Sequence, residues 1–187
     1  MQILGISGSL RRESHNTKLL RAVGELLEQR GVEFTIYDSL KSVPPYDEDD
    51  DGQLAPAAAE HLRRAVREAD GLFFATPEYN SSIPGQLKNA VDWVSRPYAN
   101  GAIRNKTVAV VGASAGMFGA VWAQAELRKV LAAAGARVVE GEVALGHADT
   151  RFDEQGRLTD AEIVDQLDAL ADALIGELEP SRGQLAA

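Results

Sequence analysis

A short stretch near the start of the chain combines hydroxyl groups, cations and the start of a helix. An apolar run at residues 3–6 opens into SGSLRRESHNT at residues 7–17. The pattern predicts a helix that is capped by Ser14, Asn16 or Thr17. The start of a helix presents unpaired backbone N–H groups and a partial positive charge, and both favour a phosphate. We therefore predict that this first loop binds a phosphate group.

The first loop matches neither of two common phosphate-binding motifs. No Gly-Lys-Ser/Thr sequence ends it, and the spacing of Gly5 and Gly8 differs from the dinucleotide-binding fingerprint. An ordinary polar connection between a strand and a helix therefore remains an alternative interpretation. Five side chains supply at least as many donors as one phosphate needs. They are Ser9, Arg11, Ser14, Asn16 and Thr17.

Two further loops carry residues that suit a planar ring. The second loop, TPEYNSSIPG at residues 76–85, predicts a rigid turn with N–H groups toward a ring, on which Tyr79 can stack. The third loop, GASAGMFG at residues 112–119, has small residues that let the backbone approach a ligand, and Ser114 can bond a polar ring edge. Each loop alone also fits an ordinary turn. Three such loops on one edge of one sheet indicate a ligand-binding site far more specifically than any one of them does.

The composition limits the class of protein. A formal net charge of −9 argues against general nucleic-acid binding, which relies on Lys and Arg. The chain has no cysteine, which excludes disulfides, thiolate metal sites and a cysteine nucleophile. An apolar strand begins by Ile3 and leaves no room for a secretory signal, and no apolar run is long enough to span a membrane. We expect one cytoplasmic domain that binds neither nucleic acid nor membrane.

Strand and helix signals alternate along the chain. Short apolar or β-branched runs predict strands at residues 3–6, 32–37, 71–75, 107–111 and 137–143. Amphipathic or Ala-rich runs predict helices at residues 18–29, 55–69, 84–94, 119–134 and 160–178. Five strands that alternate with helices predict an α/β fold, with one parallel sheet covered on both faces. Such sheets bind ligands at the carboxyl ends of their strands, which is where the three loops lie.

The motifs of the three loops resemble those of the NADPH-dependent FMN reductase family. The likeness is closest to the bacterial branch that reduces quinones and chromate, and it extends over residues 2–178. It implies a three-layer flavodoxin-like fold, with a doubly wound five-stranded parallel sheet in the order 2-1-3-4-5. The matching segments are GSLRRESHN at 8–16, PEYN at 77–80, PGQLKNAVDW at 84–93 and GASAG at 112–116.

The resemblance implies one FMN-binding reductase domain at residues 1–179, followed by a flexible tail at residues 180–187. The resemblance assigns the FMN phosphate to the side chains of Ser9, Arg11, Ser14 and Asn16 and to the backbone of His15 and Thr17. Because relatives often carry a bulky aromatic residue at the position of His15, we assign no chemistry to its side chain. The residues that it assigns to the flavin ring are Pro77, Glu78, Tyr79, Asn80, Ser114 and Gly116.

The resemblance further implies an FMN-dependent NAD(P)H oxidoreductase. Hydride passes from NADPH or NADH to FMN, and then to a quinone, a free flavin or a similar acceptor, by a ping-pong mechanism. The flavin carries this chemistry, so we predict no catalytic side chain. A flavodoxin-type electron carrier that does not oxidise nicotinamide directly is the alternative, and a non-catalytic FMN- or nucleotide-binding regulator is a third. The sequence does not separate NADH from NADPH.

Two other clusters of titratable residues have simple explanations. The acidic run at residues 47–51 is expected to be a solvated loop, because isolated charge runs usually are. His147 and Asp149 lack a second His or a Cys nearby, so we predict no metal site. His61 is expected to lie at the surface of a helix.

The resemblance also implies a homodimer or homotetramer. We expect the helix at residues 119–134 to contribute to the interface through its apolar side chains, and Arg128 and Lys129, beside Glu126, to form interface ion pairs. The apolar side chains are Trp122, Leu127, Val130 and Leu131.

Overall fold

Helices and strands alternate in the computed structural model, which describes residues 1–52 and 55–183. The strands are β1 (Gln2–Ser7), β2 (Glu33–Ile36), β3 (Gly71–Thr76), β4 (Thr107–Ala113), β5 (Arg137–Val138) and β6 (Val143–Leu145). The helices are α1 (His15–Glu28), α2 (Ala57–Glu68), α3 (Gly85–Val94), α4 (Val121–Ala133) and α5 (Ala161–Gly183). Short 3₁₀ helices lie at Leu40–Ser42 and Ala148–Thr150.

The strands form one parallel sheet in the order β2-β1-β3-β4-β5, and β6 also pairs with β4. The predicted order 2-1-3-4-5 is therefore confirmed. Every residue of β3 and β4 is buried, since both strands have neighbours on both edges and helices on both faces. This burial explains why their sequences are continuous apolar runs rather than alternating ones.

Two apolar clusters cover the two faces of the sheet. Helices α2, α3 and α4 pack on one face, where Leu62, Trp93 and Leu127 are fully buried. Helices α1 and α5 pack on the other, where Leu19 and Leu174 are fully buried. The predicted three-layer architecture is confirmed.

The last predicted strand, at residues 137–143, is two short strands. β5 pairs with β4 at Thr107 and Val108, and β6 pairs with β4 from Val111 onward. Between them the chain leaves the sheet around Gly141, whose φ of 133° favours glycine. A Gly between two Glu residues inside a strand pattern is a recognised sign of such an interruption, and our prediction of one continuous strand overlooked it.

Arg128 of α4 fills the interruption between β5 and β6. Its guanidinium group donates to the carbonyl oxygens of Val110 and Val139, at 3.1 Å each, and to that of Gly141. Burial lowers the pKa of Arg128 from its ordinary value. These bonds give Arg128 a role within the chain that the sequence analysis did not predict, whereas its interface ion pair stays a prediction.

Two of the apolar residues predicted for an interface belong to the core. Leu127 and Leu131 are fully buried against the sheet, whereas Trp122 is half-exposed. Val130 is partly buried and packs against the same cluster. Of the four, only Trp122 presents a large apolar surface to solvent, so the predicted face is smaller than expected.

Helix α5 ends five residues beyond the predicted end at Leu178, at Gly183. Residues 184–187 of the predicted tail lie outside the described residues. Within the described ranges, none of the helices combines the length and the apolar composition that crossing a bilayer requires.

The acidic run at residues 47–51 is solvated only in part. Asp51 accepts a bond from Arg63 at 2.7 Å, and both side chains are largely buried. Arg63 also donates to the carbonyl oxygen of Trp93 at 2.9 Å and pairs with Glu60. Although burial acts to raise the pKa of Asp51, its bonds to Arg63 and to the N–H of Gly52 leave that pKa below its ordinary value. The prediction of a solvated loop is therefore wrong for Asp51, which anchors the segment to α2.

Candidate functional site

The three loops leave the sheet at neighbouring positions. Ser7 at the end of β1 lies beside Ala75 of β3, and Thr76 at the end of β3 lies beside Gly112 of β4. Because the strands are parallel and adjacent, their carboxyl ends meet at one rim. The sequence-based expectation that these loops share one sheet edge is confirmed.

The first loop ends at a helix cap. Ser14 is the N-cap of α1, and its hydroxyl accepts a bond from the backbone N–H of Thr17 at 3.2 Å. The Thr17 hydroxyl donates to Ser7 at 3.0 Å, which ties the start of α1 to the end of β1. No acidic residue lies in the first turn of α1, so nothing there offsets the partial positive charge of the helix start.

Asn16 connects the first loop to the third. Its side-chain nitrogen donates to the carbonyl oxygen of Ala113 at 2.9 Å, and its side-chain oxygen accepts from the N–H of Ala113 at 3.0 Å. The side chain is only 2% exposed. Because the amide is buried and both of its polar atoms bond Ala113, we expect a ligand at the helix start to meet the backbone N–H of Asn16 rather than its side chain.

His15 stacks on an aromatic residue from a distant segment. Its ring lies nearly parallel to that of Phe152, with 6.0 Å between the ring centroids. The Nδ1 atom is buried and has no hydrogen-bond partner among the described residues. Burial, followed by the positive charges of Arg11 and Lys18, lowers the pKa of His15 from its ordinary value.

The second loop contains a tight two-residue turn. Tyr79 and Ser82 each donate a backbone bond to the other, at 3.0 and 3.2 Å. Asn80 and Ser81 between them have positive φ values of 54° and 59°, the conformation of a type I′ turn. The turn holds Tyr79 at the surface, where its ring is half-exposed.

Two side chains of the second loop bond to α4. The Glu78 carboxylate accepts from the backbone N–H of Ala123 at 3.1 Å, and the Ser82 hydroxyl donates to Glu126 at 2.6 Å. The residue at the N-cap position, Ala120, has no side chain that could cap the helix. Glu78 therefore caps α4 from another loop, which is where a carboxylate is favourable.

The third loop rests on β6 and the turn after it. Ser114 donates its N–H to the carbonyl oxygen of Leu145 at 3.0 Å, and His147 donates its N–H to that of Gly116 at 3.0 Å. A Cβ atom on Gly119 would lie 2.3 Å from the backbone of Ala144, so only glycine fits there. Sequence reasoning missed this support, because the predicted fifth strand ended at Val143, the first residue of β6.

Two cavities share Leu10 and Arg11 in their linings. A mainly apolar one of about 300 Å³ is lined by Gly8, Tyr79, Pro84, Gly85 and Gln86 as well as by this pair. A second one of about 470 Å³ lies between the first loop and the end of β2. The two cavities are large enough for a ring and for a phosphate group, respectively.

The predicted site residues fall into two groups. One group lines a cavity: Ser9, Arg11, Thr17 and Tyr79. The rest of the predicted set lies on the same three loops, at Ser14, His15, Asn16, Pro77, Glu78, Asn80, Ser114 and Gly116. Of these, Ser14 and Asn16 are buried beneath the first loop. Sequence reasoning missed three residues that line the cavities: Leu10, which lies inside the first motif, and Arg21 and Lys41, which belong to no motif.

The chain is similar to known proteins along most of its length. The sequence profile of a family described as NADPH-dependent FMN reductase matches residues 1–150. The chain belongs to the NADPH-dependent FMN reductase family. An NAD(P)H-dependent FMN reductase of Pseudomonas aeruginosa is 43% identical over 162 residues, 86% of this chain and 85% of the relative. A quinone reductase of Pseudomonas putida is 37% identical over 156 residues, 83% of each chain.

A solved structure agrees with the family assignment. The flavoenzyme NAD(P)H:(acceptor) oxidoreductase of Paracoccus denitrificans has a TM-score of 0.85 and 32% identity, covering 96% of this chain and 97% of the other. The chain is therefore an FMN-dependent NAD(P)H oxidoreductase with the flavodoxin-like fold of that family. The predicted fold class, enzyme class and cofactors are confirmed.

Proposed function

We propose that this enzyme passes electrons from a nicotinamide to a quinone or a free flavin by a ping-pong mechanism. Support comes from the relatives, one of which is named an FMN reductase and another a quinone reductase. The observation that carries the proposal is the meeting of three loops at one rim, with a cation-lined cavity beside an apolar one. Two substrates that need the same place beside one ring must use it in turn.

The first loop fits the phosphate of FMN. Ser14 caps only one N–H of the helix start, and in the described part of the chain the N–H groups of His15 and Asn16 have no acceptor. Arg11 is exposed at the loop and bonds no carboxylate among those residues. We assign the phosphate to these N–H groups, the hydroxyls of Ser9 and Ser14, and the Arg11 guanidinium.

The second and third loops fit the flavin ring. When bound, FMN supplies a ring that accepts and then donates a hydride. We assign its polar edge to the backbone of residues 77–80, because the Glu78 side chain already bonds α4. Tyr79 borders the apolar cavity and excludes water from it. Ser114 and Gly116 border the far end of the ring, where β6 supports them.

We further propose that two or four copies of the chain assemble next to this rim. Met117, Phe118 and Trp122 are each at least half-exposed, and the rings of Phe118 and Trp122 make an edge-to-face contact at 5.0 Å. An apolar group of this kind beside a site is typical of an interface. Light scattering should show a dimer or tetramer that Trp122→Glu weakens, whereas a monomer at all concentrations would refute this assembly.

One anaerobic experiment tests the proposed reaction. Protein, FMN and NADPH are mixed, and the visible flavin absorbance is followed. Rapid bleaching supports the oxidoreductase, whereas persistent absorbance would indicate an electron carrier or a regulator. Initial rates at several quinone concentrations should give parallel reciprocal plots, and intersecting plots would exclude the ping-pong mechanism.

A matched pair of arginine variants tests the phosphate assignment. Arg11→Ala should weaken FMN binding by about 10-fold or more, because it removes a charge-assisted bond to phosphate, and Arg12→Ala should weaken it far less. Equal effects would mean that the phosphate lies elsewhere. The cytoplasmic location stays a prediction.

A further inference from the structure

The cavity between the first loop and β2 concentrates positive charge in a chain that is acidic as a whole. Of the 19 Lys and Arg residues of the chain, four line this cavity of about 470 Å³: Arg11, Arg12, Arg21 and Lys41. Of the 28 Asp and Glu residues, only Asp38 does. The cavity therefore attracts anions, although the net charge of the whole protein is −9.

These cations are not used for ion pairs. In the described ranges, no carboxylate lies within ion-pair distance of Arg12, Arg21 or Lys41. Arginines elsewhere differ: Arg30 near the end of α1 pairs with two carboxylates of α5, and Arg63 of α2 pairs with Asp51. The cations of the cavity thus keep their donors for a ligand.

The cavity holds more positive charge than one FMN phosphate uses. The proposed phosphate contacts lie at the first turn of α1 and at Arg11. Arg21 lies one to two turns further along α1, and Lys41 belongs to the 3₁₀ helix after β2. Their positive charge is therefore available to a second anionic group.

The geometry of the neighbouring cavity suggests which ligand carries that group. The apolar cavity shares Leu10 and Arg11 with the cationic one. A ligand with a flat ring beside Tyr79 and a phosphate group beyond Arg11 extends across both. FMN has this form too, but its single phosphate is already assigned to the helix start and Arg11. A nicotinamide dinucleotide beside the flavin ring brings further phosphate groups, and NADPH carries a 2′-phosphate that NADH lacks.

We infer that Arg12, Arg21 and Lys41 bind the 2′-phosphate of NADPH and make it the preferred nicotinamide of this enzyme. The inference rests on the proposed function, since it takes the nicotinamide to lie beside the flavin ring. It goes further by naming the residues that select NADPH over NADH.

The test compares a double variant with a matched control. Arg21→Gln combined with Lys41→Gln removes two charges from the cavity, and Arg64→Gln removes one from the exposed surface of α2. With FMN-loaded protein, the ratio of kcat/KM for NADPH to kcat/KM for NADH should fall roughly 10-fold or more in the double variant, because charged hydrogen bonds to the 2′-phosphate are lost. Arg64→Gln should leave the ratio unchanged.

A binding measurement provides a readout that does not depend on turnover. Calorimetric titration with adenosine 2′,5′-bisphosphate should show an affinity that falls about 10-fold in the double variant, because its 2′-phosphate loses the same charged contacts. Adenosine 5′-monophosphate should show little change. The titrations are made with and without FMN, so they test the cavity even if FMN fails to bind.

Two results would overturn the inference. In the first, NADPH and NADH are affected equally, so the cations do not recognise the 2′-phosphate. In the second, the double variant weakens FMN binding as much as Arg11→Ala does, so the whole cavity serves the FMN phosphate. Failure of the wild-type protein to take up FMN would instead overturn the proposed function.

Discussion

The first and second loops face the same site but are anchored differently. The first is tied through the interior: Asn16, 2% exposed, makes two bonds to Ala113 of β4. The second is tied at the surface, where Glu78 and Ser82 bond to the start of α4. A buried polar group that loses its hydrogen-bond partner lowers stability strongly, whereas an exposed group can bond water instead.

The anchors of the two loops therefore affect different properties of the protein. The anchor of the first loop affects stability, and those of the second loop affect the geometry around the ligand. A change in the anchor of the first loop must disturb the sheet, because Ala113 ends β4, an internal strand that pairs with β3, β5 and β6. A change in the anchors of the second loop leaves the core intact and shifts only the spacing between the second and third loops. The region proposed for the phosphate is therefore anchored in the core through Asn16, whereas the region proposed for the ring is adjustable.

The largest expected effect is that of Asn16→Ala. It leaves the buried N–H and carbonyl group of Ala113 without partners, so the free energy of unfolding should fall by about 3 kcal/mol. Urea denaturation measures this change.

Asn89→Ala is the matched control for Asn16→Ala. Asn89 also makes two bonds to backbone groups, to Tyr46 at 2.7 Å and to Pro44 at 2.8 Å, but it is only half-buried. Its loss should cost about 1 kcal/mol. Equal losses for the two variants would refute the distinction between an interior and a surface anchor.

Glu78→Ala should have an intermediate effect. Removal of the carboxylate that caps α4 should lower the free energy of unfolding by about 1 kcal/mol, and Glu78→Gln should restore part of it. If the second loop contacts only the ring, the affinities for FMN and for riboflavin, which lacks the phosphate, should fall by the same factor, about 5-fold. Fluorescence titration gives both values.

Arg11→Ala supplies the contrasting result for the two flavins. It should weaken FMN binding while leaving the affinity for riboflavin nearly unchanged, since riboflavin has no phosphate to lose. A Glu78→Ala protein that discriminated between the two flavins in this way would show that the second loop also acts on the phosphate end.

The smallest expected effect is the pH dependence that His15 adds. Because the pKa of His15 is lower in the folded protein than its ordinary value, the unfolded state binds a proton more readily. The contribution of neutral His15 to the free energy of unfolding is therefore present above about pH 6.5, and it is lost as the pH falls through the pKa of His15 in the folded state. His15→Phe, which retains a ring against Phe152, should remove this decrease in unfolding experiments at pH 5 to 8. A decrease of the same size in the variant would assign it to other groups.

Most of the fold and of the proposed site was predictable from the sequence for local reasons. Continuous apolar runs such as residues 71–75 indicate strands buried on both faces, and Ser14 followed by an amphipathic run indicates a capped helix. Parallel strands then bring their loops to one rim, whatever the details of packing. The positions of all three loops follow from these signals.

The errors share a different physical origin. Asp51 was expected to be solvated, but it bonds Arg63, twelve residues away, in a partly buried site. Arg128 was expected to form an interface ion pair, and its bonds within the chain, to carbonyl groups of β4 and of the segment after β5, were overlooked. A charged residue carries no sequence sign of whether its partner is water or a distant buried group.

The sequence by itself determined the α/β class, the strand order expected of its family and the three loops at one rim, because periodicity and turn residues act over short distances. The tertiary structure alone decided how those loops are held. The amide of Asn16 meets Ala113, the carboxylate of Glu78 caps α4, and β6 supports the third loop. Each of these contacts joins residues that lie far apart in the chain, and their hydrogen-bonding geometry exists only once the sheet and its helices have packed.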